Sequence, residues 1–481
     1  MQRTVLGLLT VALTLTGAAH HATARTPTTP AAFPASTQNL NPQQQSALDI
    51  YRQLLEINTT ASVGDTYEAA QAMAARLIDA GFPENDVHAF ESAPKRGNLV
   101  ATLHGTAKHK PILLVAHIDV VEANRSDWTT DPFKLVEKDG YFYARGSGDD
   151  KYMAATWIAN LIRYKKEGYR PDRDIIVALE TDEESGDPEN VGIGWLIKKH
   201  RDLIEAEFAL NEGGGVAEKD GKPLWNSLQT SEKVYQSFWL ETHNAGGHSS
   251  QPRKDNAIYE LAAGLERIAK FDFPVMLNET TRAYFEQMSK METGQMAEDM
   301  RAILAPQPDP AAVARLSALV PYNAQLRTTC VATRLQGGHA DNALPQDARA
   351  MINCRILPSQ PPEEVRDTLV RVLADDKITV TADKPAVPSP PSPLRPELVK
   401  TIQTLTTRFW PGIPVLPIMS TGATDGLYLR NAGIPTYGHS GLAADMFDVR
   451  AHGKDERVSV KSFFTGQEYL YELVKQLSGG H

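Results

Sequence analysis

Five times along this chain a short polar station follows a strand-like, largely apolar stretch, and each station carries imidazole or carboxylate. They are His117 with Asp119, Asp149-Asp150, Glu183-Glu184, Glu212 and His452. Ile112–Val115 precedes the first, Ile175–Leu179 the third and Phe208–Leu210 the fourth. Runs of this length are what a buried parallel strand needs. Polar groups gathered just past such runs lie at the carboxyl edge of the sheet, where open α/β folds build their sites. The pattern therefore predicts an α/β fold with a mixed or parallel sheet and a metal centre at one edge. The donors are nitrogen and oxygen without thiolate, a set that suits zinc, cobalt or manganese.

At 481 residues the chain is long enough for a large core and two domains. Its net charge of -10 is spread along a chain of mixed sign with no basic stripe, so no nucleic-acid partner is expected. Residues 1–24 read as an export signal: Arg3 supplies the positive start, Val5 to Ala19 the apolar run and Ala22-Thr23-Ala24 the cleavage site. That run is shorter than the ~20 residues a membrane span needs. The expectation is an exported protein, periplasmic or secreted, with no membrane insertion after cleavage.

Residues 25–41 read as a disordered leader rich in Thr, Pro and Ala. Helical spacing follows at Ser46–Leu55, Thr66–Ala80 and Met153–Glu167. Strand-like runs lie at Asn98–Leu103, Ile112–Ala116 and Asp174–Leu179. This alternation assigns 42–232 to the first part of a catalytic domain with helices on both sheet faces. The character changes near Lys233. Strands at Val234–Thr242, Arg327–Leu335, Ala348–Leu357 and Ile378–Thr381, with helices at Ala257–Lys270 and Glu363–Leu373, give the order β-α-β-β-α-β. That order predicts an inserted ferredoxin-like α+β lid domain over 233–387. Within it, 271–326 is a long insertion whose 280–304 portion looks helical. Pro385 to Pro396 holds six prolines and reads as a stiff linker. Residues 388–481 then complete the catalytic domain.

On a strand, positions i and i+2 point the same way, so His117 and Asp119 reach one site, the carboxylate behind the imidazole. Taken alone, His-x-Asp is also a polar strand end. Asp149 or Asp150, after Gly146-Ser147-Gly148, reads as a bridge between two metals with Lys151 neutralising its neighbour, or simply as an acidic helix start. Of Glu183 and Glu184, one carboxylate suits a metal and the next a base. Gly246-Gly247-His248-Ser249-Ser250 and Thr421-Gly422-Ala423-Thr424-Asp425 are, on composition alone, turns.

These stations in this order, with the inserted domain, resemble the M20 family of metallopeptidases and amidohydrolases over about residues 45–481. The resemblance implies two divalent metal ions, zinc foremost with cobalt or manganese as alternatives. Asp149 would bridge them, His117 and Glu212 complete one site, and Glu184 and His452 the other. It implies Glu183 as general base, Asp119 orienting His117, and His248 stabilising the oxyanion, often across a homodimer built through the lid. It further implies that Asn342 and Arg355 hold the substrate carboxylate or backbone, and that Gly422 and Thr424 contact substrate. Three residues depart from the family's usual text: Glu122, Tyr152 and Asn211. None is a ligand. The implied reaction is amide hydrolysis on a small peptide, or alternatively on an N-acyl amino acid. A peptide-binding protein on a dead hydrolase is disfavoured by retention of Glu183 and all five metal positions.

Cys330 and Cys354 are the only cysteines. They lie equally far from Asn342, so antiparallel pairing of their strands sets them opposite each other, within disulfide range. Export would supply an oxidising compartment.

Overall fold

The structure is a computed structural model that describes residues 33–184 and 187–480. The expected export signal and the start of the leader lie outside the described residues. The leader's remaining residues are tied down: Phe33 stacks on Phe409 at 6.0 Å and the Thr37 N–H donates to Glu137 at 3.2 Å. Asn41 then caps the helix Pro42–Glu56 in a reciprocal box with Gln44. No described helix is long and apolar enough to cross a membrane.

A ten-stranded mixed sheet forms the main layer. At its centre Ile112–His117 lies parallel to both Ile175–Glu180 and Phe208–Asn211. All three strands are buried throughout, as parallel strands covered on both faces must be. Thr436–Gly438 continues the parallel set, while Arg96–Leu103 pairs antiparallel with Ile175–Glu180. The helices Pro42–Glu56, Lys151–Glu167 and Val460–Ser478 pack one face through Tyr51, Trp157, Tyr152 and Phe463, all wholly buried. Lys151–Glu167 stops at Gly168, whose φ of 68° is the left-handed cap that glycine takes without strain.

Among the strands of this sheet that went unread in the sequence are Val216–Lys219 and Lys222–Glu232. They join through Asp220-Gly221, both at positive φ, a two-residue hairpin turn. Lys222–Glu232 passes through Lys233 straight into Val234–His243 of the second sheet. The change of character at Lys233 is thus one strand leaving one sheet for another.

The second sheet has the order Thr329–Gly337, Asp347–Ile356, Val234–His243, Ile378–Ala382, every pair antiparallel. Helices Ala257–Ala269 and Pro362–Leu373 cover one face, burying Leu261 and Leu369 against Leu240 and Ile352. Cys330 and Cys354 are register partners with Cα atoms 4.1 Å apart, and their sulfurs are bonded. The 271–326 segment forms four helices: Glu279–Met291, Gly294–Ala302, Pro310–Ser317 and Val320–Leu326. The expected helical stretch breaks at Gly294, which sits at φ 58°. These helices pack onto the main sheet: Phe285 and Met300 cluster with Leu416 of Val415–Ser420, and Gln325 donates to the Met419 carbonyl at 3.0 Å.

Candidate metal centre

His117 closes its strand buried, with Nε2 3.0 Å from Asp149 Oδ1 and 3.8 Å from Glu212 Oε2. His452 Nε2 lies 2.8 Å from Glu184 Oε1 and 3.2 Å from Asp149 Oδ2. The two oxygens of Asp149 therefore face two different imidazoles. Residues separated by more than three hundred positions meet here: His117 ends a strand of the sheet, whereas Asp149 and His452 come from turns. Two triads have donor atoms within 4.8 Å of one another: His117, Asp149 and Glu184, and His117, Glu183 and Glu212. The grouping differs from the expected one in that His117 stands in both triads and Glu183 joins one. The His452 contacts nonetheless bring the second expected set together.

The electrostatics fit a cationic occupant. Burial pushes the Glu183 carboxyl well above its usual range, and does the same to Glu212, where the charge of Glu183 adds to it. Burial and the charge of Asp149 lift Glu184 to about 7. Burial works against the charged form of His117, but hydrogen bonds to Asp119 and Asp149 outweigh it and raise the imidazole well above its usual value. The hydrogen bond to Asp149 raises His452 to about 9. Burial would lift Asp149 too, yet the two imidazoles hold it below the carboxylate range. Carboxylates crowded where water is scarce demand positive charge. Divalent ions held by imidazole and carboxylate would supply it.

The surrounding residues fix the donors. His117 Nδ1 lies 3.1 Å from the Asp119 carbonyl oxygen, whereas the carboxylate oxygen is 3.5 Å away. The Asp119 carboxylate thus stands behind the ring, with the backbone carbonyl nearer the same nitrogen. That carboxylate also accepts the backbone N–H groups of Glu183 and Glu184, at 3.2 and 3.1 Å. Lys151 does not neutralise its acidic neighbour either: its Nζ donates to the carbonyls of Leu54 and Ile57, each at 2.8 Å, because the helix buries it. Glu456 was overlooked in the sequence. Its carboxylate meets Arg145 at 2.7 Å and accepts the N–H groups of Gly146, Gly148 and Asp149 at 3.0, 2.8 and 3.3 Å. It ties the bridging aspartate's loop in place, and its only sequence signal was its place four residues after His452. Glu180 and Asp425 form a second overlooked pair, both buried. Burial raises both carboxyls, Glu180 further through the charge of Asp425.

The remaining expected residues do not join the cluster. His248 is exposed on the short Gly247–His248 strand, paired with Ala343–Leu344, and its Nδ1 meets Ser250 Oγ at 2.7 Å. Asn342 lies beside it, its carbonyl accepting the Ser249 N–H at 3.0 Å. Arg355 sits on the second sheet with its guanidinium 4.8 Å from the Tyr235 ring centre. Gly422 donates its N–H to Ser420 Oγ, and Thr424 Oγ1 donates to Glu232 at 2.8 Å. Their loop approaches the centre through Asp425 instead.

A model of peptidase family M20/M25/M40 matches residues 113–476. The chain belongs to this family of metal-dependent peptidases and amidohydrolases. It is 28% identical to the human N-fatty-acyl-amino acid synthase/hydrolase over 378 residues, 76% of this chain and 74% of that protein. It is 25% identical to mouse aminoacylase-1 over 446 residues, 90% of this chain and 96% of that one. The fold matches an M20 family metallo-carboxypeptidase from Sulfolobus solfataricus with a TM-score of 0.66 at 18% identity, covering 91% of this chain and 99% of the other. Human carnosine dipeptidase 1 matches with a TM-score of 0.61 at 14% identity, covering 91% and 97%.

Proposed function

We propose that the chain is an exported two-metal hydrolase that cleaves the amide bond of a small peptide or an N-acyl amino acid. The observation that carries this reading is Asp149, whose two carboxylate oxygens each face a different imidazole, His117 and His452. His117, Asp149, Glu184, Glu212 and His452 would hold the ions. Bound there, divalent ions of the zinc type lend Lewis acidity to the scissile carbonyl and acidify water.

The chain's own groups do the rest. Glu183, beside His117 and Glu212, takes the proton of the attacking water and later delivers it to the leaving nitrogen. Asp119 holds the backbone of Glu183 and Glu184 so that base and ligand keep fixed positions. His248, exposed on the lid, stabilises the tetrahedral oxyanion from its own chain or from a partner's. Arg355 supplies a planar fork for a carboxylate and Asn342 a hydrogen bond. Gly422 and Thr424 line the substrate's other side.

A homodimer through the lid is part of this reading. Thr329–Gly337 is an edge strand with Val331 and Leu335 exposed, the kind of edge a second copy covers. The reading is tested by loading the mature enzyme with zinc, cobalt or manganese and assaying a mixture of dipeptides and N-acyl amino acids by mass spectrometry. Hydrolysis of an amide that chelation abolishes is expected. Metal-loaded enzyme that cleaves neither class sinks the reading.

A further inference from the structure

A cavity of about 390 Å³ opens between the end of helix Ala257–Ala269, the turn after it, helix Val320–Leu326 and the start of strand Thr329–Gly337. That volume is in the range of small-molecule sites, and no residue of the metal centre lines it. One wall is apolar. Ile268 and Phe273 are buried, and Phe271, half-buried, sets its ring 5.1 Å from that of Phe273. The charged residues that line it are Arg327 and Asp272. Arg327 is 6% exposed, and a buried guanidinium needs acceptors for its N–H groups. It is short of them. One amino group donates to Ser317 Oγ at 2.8 Å, and the other stands 3.4 Å from Asp272, longer than an ordinary hydrogen bond. Its Nε has no acceptor among the described residues. The Asp272 side chain is itself 70% exposed, so water screens the pair. Asn323, lining the same cavity, has a buried Oδ1 that accepts no hydrogen bond.

The cavity thus holds an under-satisfied cation, an unpartnered acceptor, a carboxylate open to solvent and an apolar wall. These complement a small zwitterion with an apolar group: its carboxylate, its ammonium and its hydrocarbon part. The same residues are tied to the point where the lid leaves the main sheet. The Arg327 carbonyl accepts Lys233 Nζ at 2.7 Å, and the Lys233 N–H donates to the Ser420 carbonyl at 2.9 Å. Lys233 is where one strand passes from the main sheet into the lid sheet. Gln325, two residues before Arg327, holds the Met419 carbonyl of the main sheet.

We infer that this cavity binds a free apolar α-amino acid as an effector, and that its occupancy steadies the hinge at Lys233. The carboxylate sits on Arg327, the ammonium between Asn323 and Asp272, and the side chain against Phe271 and Phe273. The inference stands apart from the hydrolytic reading above, because no bond is made or broken here.

The test is calorimetry of leucine and phenylalanine on the full metal-loaded chain. Binding is expected, and it should be weaker by about tenfold or more for leucinamide, which lacks the carboxylate, and for 4-methylpentanoate, which lacks the ammonium. Arg327→Gln should lose it. So should Ala269→Trp, which fills the cavity from an exposed position and leaves the buried guanidinium in place. Asp272→Asn should weaken leucine without weakening 4-methylpentanoate. Hydrogen exchange over residues 228–238 should slow when leucine is added to wild type, but not when it is added to Ala269→Trp. No binding, or binding that Ala269→Trp leaves unchanged, overturns the site, and in the second case places the amino acid elsewhere on the chain. Binding at this cavity with exchange unchanged overturns its role as an effector site.

Discussion

Glu456 makes no contact with a ligand side chain, yet its loss should disable the metal centre. Its carboxylate and Arg145 are each 3% exposed and 2.7 Å apart. Glu456→Ala leaves the guanidinium buried without its counter-charge, a change worth about 3–5 kcal/mol. It also removes the acceptor for three backbone N–H groups between Gly146 and Asp149. The penalty stays below the stability of most folded domains, so the variant should fold. Released from its tether, Asp149 no longer presents one oxygen to each imidazole, and metal affinity should fall about 10–100-fold, as for other residues that orient ligands. Glu456→Gln keeps an acceptor without the charge and should fall between. Denaturant unfolding reads the stability, and zinc titration against a competing chelator reads the affinity. If Glu456→Ala loses stability but binds zinc as wild type does, the tether is only a structural staple. If neither changes, the placement of Glu456 is wrong.

Glu183→Gln should lose about 10²–10⁴-fold in turnover while metal content stays near wild type, whereas His117→Ala should lose the metal itself; elemental analysis beside kinetics separates them. Mixing inactive His248→Ala with inactive Glu183→Gln should restore part of the activity if His248 serves the partner chain, and none, despite proven subunit exchange, if each chain completes its own site. Thiol titration of unfolded, unreduced protein should find no free thiol, and opening the 24-residue separation between Cys330 and Cys354 by reduction should destabilise the chain by about 3 kcal/mol. His439 lies buried between the Ser227 carbonyl and Tyr469, and burial lowers its pKa to about 4. A depressed folded-state value stabilises the chain above the unfolded histidine pKa of about 6.5. That contribution should drain as pH falls from there to about 4, and denaturant melts of His439→Gln across this range should show a smaller loss than wild type.

The sequence by itself determined the sheet core and the donors. Ile112–Val115, Ile175–Leu179 and Phe208–Leu210 are continuous apolar runs, and only strands buried on both faces read that way. The residues that follow them must then stand at one edge, so His117, Glu184 and Glu212 were legible before any contact was known. The register of Cys330 and Cys354 was legible too, because an antiparallel hairpin obeys simple counting. The hairpin at Asp220-Gly221 carried a turn signal that the polar composition of its strands masked. Tertiary structure decided what depends on distant partners. Glu456 became a tether, Asp119 a clamp on two backbone amides and Lys151 a buried donor to carbonyls, because each answers to groups far away in the chain. The helices of 271–326 were free to pack on either sheet, and the apolar surface of Leu416 and Ile418 placed them on the first. Local pattern fixes which face of an element is apolar; only the assembled chain fixes what lies against it.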